Sequence, residues 1–148
     1  MGLKQENFIR EFCECFGNGS YDSRADVNKI LSMMAEDVEW QLWVPGGPVI
    51  KGKPAIRAEL ERQKSFLCNN KCNIINILSS DTLVMTERKD DAVMYERDAP
   101  HHMVAVYALN EQGLIREWRE YLDILDMTQK MGVSAESAAS GRGTDSIN

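Results

Sequence analysis

Apolar residues recur at three- and four-residue steps through the first part of the chain and at two-residue steps after it. Phe8, Ile9, Phe12, Cys13 and Phe16 fall on one side of a helix that stops at Gly17-Asn18-Gly19, a natural helix end. Ser23-Arg24-Ala25-Asp26 has the form of a capping box, and Val27, Ile30, Leu31 and Met34 then predict a second helix to about Glu36. The run VEWQLWV, residues 38–44, is rich in β-formers and predicts a strand, closed by the loop Pro45-Gly46-Gly47-Pro48. Pro54 suits the first turn of a third helix, through Ile56 and Leu60 to about Lys64 or Phe66.

From there the period is two. Cys72–Leu78, Thr82–Met94, His101–Leu109 and Leu114–Leu122 predict four strands, separated by turns at Ser79-Ser80-Asp81, Arg97-Asp98-Ala99-Pro100 and Asn110-Glu111-Gln112-Gly113. Turns this short imply antiparallel neighbours. Asp123 can cap a brief last helix, so one domain is expected over residues 1–131, and residues 132–148, small and polar, predict a disordered tail. Helices first and a curved antiparallel sheet after them give an α+β cone, whose helices close one face of the sheet over an apolar pocket.

Composition narrows the partners. A chain of 148 residues with 43% hydrophobic content has room for one domain with a sizeable core. A net charge of −6 without a basic stripe argues against nucleic acid or an anionic membrane. With no signal-like start and no window of about 20 apolar residues, the expectation is a cytoplasmic protein without membrane insertion. Cys13, Cys15, Cys68 and Cys72 form C-x-C and C-x-x-x-C, neither of them a zinc or thioredoxin spacing, so free thiols and no metal are expected.

The candidate chemistry lies in the strand MTERKDDAVM, residues 85–94. On strand alternation Arg88 and Asp90 share a face with Val84, Thr86 and Ala92, against Glu87, Lys89 and Asp91 on the other. In the last strand Leu114, Arg116, Trp118, Glu120 and Leu122 share the more apolar face. Charges near strand ends are usually solvated, and surface pairs contribute only ~0–1 kcal/mol. Two carboxyls bridged by a guanidinium inside an apolar pocket, by contrast, can be held in different protonation states, one as acid and one as base. The planar, permanently charged fork of Arg88 suits that bridge.

These segments resemble a known family. TERKD (86–90) and WREYLDILDM (118–127), preceded by AEDVEW (35–40) and GKPAI (52–56), are similar to limonene epoxide hydrolases, of the cone-shaped superfamily that includes nuclear transport factor two, scytalone dehydratase, ketosteroid isomerase and SnoaL-like cyclases. The resemblance runs from about Phe8 to Met131. It implies Asp90 as general acid, Arg88 as bridge and Glu120 as general base, without a cofactor, and a homodimer joined by the outer sheet face, where Val104, Val106, Ile115 and Tyr121 would form an apolar patch. Glu120 stands where the family has Asp. Trp40 and Leu42 stand where it has the Tyr and Asn that hold the attacking water, and neither replaces them: Trp only donates and Leu does neither.

The resemblance also sketches the pocket wall, from Cys13, Phe16, Leu42, Leu67, Ala92, Met103, Ala105 and Leu122. Trp118 is expected on that wall as well, and Trp118 and Trp43 read as packing at the sheet. His101 shares the phase of Met103 and Ala105, either as an acid–base group or as a hairpin-end residue partly in water. The expectation is an epoxide-opening enzyme acting on a lipophilic terpenoid, polyketide or sterol-like substrate. Two other classes fit the same residues: a cyclase or isomerase of natural-product biosynthesis, in which a group of the substrate replaces water, and a non-catalytic ligand binder.

Overall fold

Ile9, Phe12 and Cys13 make the buried stripe of helix α1 (Leu3–Glu14) in the computed structural model, which describes residues 2–140. Helix α2 (Val27–Ser32) starts at Asp26, whose carboxylate accepts from the Lys29 amide. It is shorter than its hydrophobic spacing predicts: the chain leaves the helix at Met33, and strand β1 (Met34–Val44) begins where the helix was expected to continue to Glu36. Met34 fits both periods. Its pairing with Ile115, together with the Ile115 amide's bond to the Met33 carbonyl, decides for the strand.

Strand β2 (Val49–Lys51) returns along β1 where a loop was expected, and helix α3 (Lys53–Lys64) follows with Pro54 in its first turn. The remaining strands are β3 (Leu67–Lys71), β4 (Ile74–Ser79), β5 (Leu83–Met94), β6 (Arg97–Asp98), β7 (His101–Leu109) and β8 (Ile115–Tyr121). They form one sheet in the order β2-β1-β8-β7-β5-β3, with β4 and β6 also paired to β5. The sheet is strongly curled into a half-barrel. The long β5 contributes to this by pairing β4 along Val84–Arg88 and β3 along Asp91–Met94. Every pair is antiparallel but one: β1 runs parallel to β8. The four predicted late strands do pair antiparallel, whereas β1 joins from outside that meander.

Helices α1, α2 and α3 cover the concave face, and the main core lies between them and β1, β5, β7 and β8. Phe12 is its centre, edge-on to Phe16, Tyr107 and Trp118. A second cluster joins Ala92, Met94 and Ala99 to helix α4 (Ile124–Met131), which Asp123 caps as predicted, and to Val133. Val133 is buried, and helix α5 (Ala135–Ser140) follows it, so order extends past the predicted start of the tail. The burial of Val133 against Met127 and Met131 accounts for this; residues 141–148 lie outside the described residues. The predicted dimer patch changes too, because Val106 and Ile115 are already buried within the chain. No helix among the described residues is long and apolar enough to cross a membrane.

Truncating Phe12 to Ala is expected to lower unfolding free energy by about 3–5 kcal/mol, the range for a large buried aromatic. Leu125→Ala, on an exposed side chain, is expected to stay within about 0.5 kcal/mol of wild type. Urea unfolding midpoints check both, and equal losses would contradict this placement of the core.

Candidate functional site

Alternation along β5 sends Val84, Thr86, Arg88, Asp90, Ala92 and Met94 to the concave side and Glu87, Lys89 and Asp91 outward. Arg88 and Asp90 are 4% and 2% exposed. The guanidinium grips Asp90 with two bonds, Nε to Oδ1 at 3.2 Å and Nη2 to Oδ2 at 2.9 Å. Nη2 also reaches Glu120 Oε2 at 3.3 Å, so one cation joins two carboxyls.

The strand register explains the reach. Ala105 of β7 is the cross-strand partner of both Thr86 and Glu120, and its single methyl leaves room for Arg88 to cross diagonally from β5 to β8. Tyr107 closes the network from beneath. Arg88 Nη1 donates to its hydroxyl at 2.6 Å, and since a guanidinium only donates, the phenolic proton is free for Thr86 Oγ1 at 3.1 Å. Burial raises the Tyr107 phenol well above its usual pKa, so it stays neutral. Met103, opposite Arg88 in the register, places its sulfur 2.7 Å from Nη2.

Glu120 is set differently from Asp90. It is 8% exposed and has one arginine bond and one long bond from Trp40 Nε1, at 3.4 Å. Burial pushes its carboxyl up to about 7, against the attraction of Arg88. Trp40 and Trp118 are register partners on the parallel strands β1 and β8, and their indoles stack at 4.3 Å, close to the spacing of adjacent strands. His101 is 5% exposed rather than wetted at the hairpin end. It lies directly across from Asp90 in the register, with Nδ1 2.9 Å from the Ala99 carbonyl and Nε2 3.9 Å from Asp90 Oδ2. Burial, ahead of the other influences, lowers its pKa.

Arg88, Asp90, Glu120, Met103 and His101 line a cavity of about 130 Å³. Of the wall expected from the sequence, Phe16, Leu42, Leu67, Met103, Trp118 and Leu122 line it, with Trp40 and His101. Cys13, Ala92 and Ala105 do not. Cys13 packs against the Tyr107 hydroxyl, at 3.7 Å, and faces a separate surface cleft that Cys72 also lines. Ala92 belongs to the second core cluster, and the Ala105 methyl is fully buried in the sheet.

The sequence reading missed two blocks of wall, Arg62, Gln63 and Phe66 at the end of α3 and Ile124, Met127 and Met131 on α4. It also missed Tyr107. The spacing of Met127 and Met131 is a legible helical stripe, and Tyr107 shares the phase of His101, Met103 and Ala105. Among the described residues no group of three or more His, Cys, Asp or Glu side chains is placed to hold a metal ion.

The sequence model of the limonene-1,2-epoxide hydrolase catalytic domain matches residues 8–132. Two solved structures share the fold. An LEH-like epoxide hydrolase of M. tuberculosis superposes with a TM-score of 0.70 at 20% identity, over 86% of this chain and 89% of that one. A phenazine biosynthesis-related protein of Pseudomonas aeruginosa superposes at 0.72 with 14% identity, over 86% and 85%. Comparison with curated protein sequences gave no match.

A carboxyl raised by burial stabilises the fold fully below its ordinary range, and that stabilisation is lost as pH rises through about 7. Glu120→Gln removes the loss. The variant is therefore expected to gain stability relative to wild type between about pH 5 and pH 8, by on the order of 3 kcal/mol at the upper end. Urea midpoints across that range check it, and a constant difference would contradict the raised carboxyl.

Proposed function

The chain belongs to the limonene-1,2-epoxide hydrolase family, and from that premise we propose that it opens the epoxide of a lipophilic small molecule by acid–base catalysis. The observation that supports this is Arg88 bonded at once to Asp90 and Glu120 within an apolar cavity. An epoxide needs a proton on its oxygen as the ring opens and a base for the attacking group. Two carboxyls that share one cation divide those tasks, because their charges cannot both be equally compensated. A passive binder gains little from three buried ionisable groups, whose desolvation is costly. A terpenoid, polyketide or sterol-like body suits walls built from Phe16, Leu42, Phe66, Leu67 and Met127.

Hydrolysis to a diol is the leading reading. Cyclisation or isomerisation is the second, favoured by Trp40 and Leu42: both side chains are buried in the wall, and neither accepts a bond from water. Turnover of lipophilic epoxides in ¹⁸O-labelled water separates the two, since a diol gains one label and a rearranged product gains none. We also propose a homodimer through the outer sheet face, where Leu78, Leu83, Met85 and Tyr121 are exposed. A monomeric mass in solution at micromolar concentration would contradict it.

Asp90→Asn and Glu120→Gln are each expected to keep the fold and lose about 10²- to 10⁴-fold in turnover. Glu87→Gln is the control, because Glu87 is on the outer side of β5 and bonds Asn76. Steady-state rates with circular dichroism check the three, and equal loss in all would remove the assignment.

A further inference from the structure

We propose, on the reading that the site opens epoxides, that the proton roles are arranged in the reverse of the family pattern: Glu120 delivers the proton to the epoxide oxygen, while Asp90 and His101 hold the attacking water and His101 takes its proton. The case starts from the Arg88 fork. Two of its N–H groups close on Asp90, and a single longer bond goes to Glu120. Both Asp90 oxygens are thereby taken up as acceptors of arginine N–H groups, and a proton on either would compete with one of those bonds. Glu120 is the less compensated of the two, and its upward shift to about 7 agrees with its being the protonated one. Arg88, Asp90, Trp40 and Tyr107 are the groups that act on it, and of the charged pair Arg88 is already engaged with Asp90.

His101 supplies the other half. The Ala99 carbonyl can only accept, so Nδ1 carries the hydrogen of that 2.9 Å bond, and in the neutral ring Nε2 is a bare acceptor. Nε2 lies 3.9 Å from Asp90 Oδ2, at the wall of the cavity. Two acceptors at that separation repel unless a donor lies between them, and a water with both O–H groups in normal hydrogen bonds spans acceptors roughly 4.4 Å apart. At 3.9 Å the pair is closer than that, so a water or alcohol bonded to both would hold its two hydrogen bonds bent. Burial, the largest influence, favours the neutral ring, as do Arg88 and Lys130, whereas the bond to the Ala99 carbonyl and the charge of Asp90 favour the imidazolium once it forms. Lys130 is itself bound to the Pro100 carbonyl and Asp126. This arrangement replaces the water grip that Trp40 and Leu42 cannot provide on the opposite wall.

The step balances as epoxide plus water to diol. Glu120 gives its proton to the epoxide oxygen as a C–O bond breaks; the water oxygen bonds to that carbon, and the water's proton passes to Nε2. Release of product lets solvent return the proton from the imidazolium to Glu120.

Two measurements test it. In the substrate-free protein, ¹³C-carboxyl and ¹⁵N-imidazole NMR titrations are expected to show a Glu carboxyl titrating near neutral pH, absent in Glu120→Gln, and Nε2 of His101 without its proton at pH 7. A neutral-range proton on an Asp carboxyl, absent in Asp90→Asn, would overturn the proposal. In turnover, Glu120→Gln is expected to lose more on an alkyl epoxide than on an aryl epoxide, whose opening needs less protonation. Asp90→Asn and His101→Phe are expected to lose about 10²- to 10³-fold equally on both, with His101→Phe also losing the acidic limb of the pH profile. His101→Phe within threefold of wild type, or the opposite substrate pattern, would overturn it. If the wild type opens no epoxide, the epoxide reading fails, and the titrations still decide where the proton resides.

Discussion

A guanidinium with almost no exposure to water has to find acceptors for its donors, and the concave face of this sheet is arranged around that demand. Arg88 finds them on Asp90, Glu120 and Tyr107. Each choice constrains a different strand. Asp90 is two residues along β5, Tyr107 sits on β7 and Glu120 on β8, so the charge network ties three strands at the level where the sheet curls. Ala105 must be small for the span to close, and Thr86 must be polar to receive the Tyr107 proton. Removing both carboxyls would leave Arg88 as an unpaired charge in a medium that cannot solvate it, a far larger penalty than losing a surface pair.

Much of this was legible in the sequence because a strand's side-chain period is two and β5 is long and regular. The alternation placed Arg88 and Asp90 on one face, and the burial of that whole strand follows it without a slip. In β8 the same rule held for Trp118 and Glu120 but failed at Arg116, which is exposed while Ile115 is buried. The pairing shifts between Leu109–Ile115 and Ala108–Glu117, so a bulge absorbs one residue and changes the phase. Such an irregularity has no compositional mark here. Nor does β3, whose LCNNK sequence is a strand only because β5 supplies its partners. Depth within a face was the other limit: alternation assigned Ala92 and Ala105 to the concave side correctly, yet could not say that larger neighbours reach past them to form the cavity wall.

The two indoles set the character of the wall beside Glu120. Trp40 fills a first-strand position with a flat apolar surface that stacks on Trp118, and its N–H is spent on Glu120. That part of the wall is apolar and buried. Burial gives Glu120 surroundings in which charge is disfavoured, while two N–H groups of Arg88 close on Asp90.

The parallel pairing of β1 with β8 also bears on how the molecule comes into being. Trp40 and Trp118 are partners in register although most of the domain's chain separates them, and β8 enters the sheet between β1 and β7. During synthesis β1 therefore emerges long before its neighbour exists, and its buried edge has no native hydrogen-bonding partner on that side until β8 arrives. Contacts so distant along the chain close slowly, and an unpaired apolar strand edge invites association with other chains in the interval. A ribosome-bound fragment ending before Ile115 would have the arginine and one carboxyl of the network but not Glu120, so maturation of the site and completion of the fold coincide.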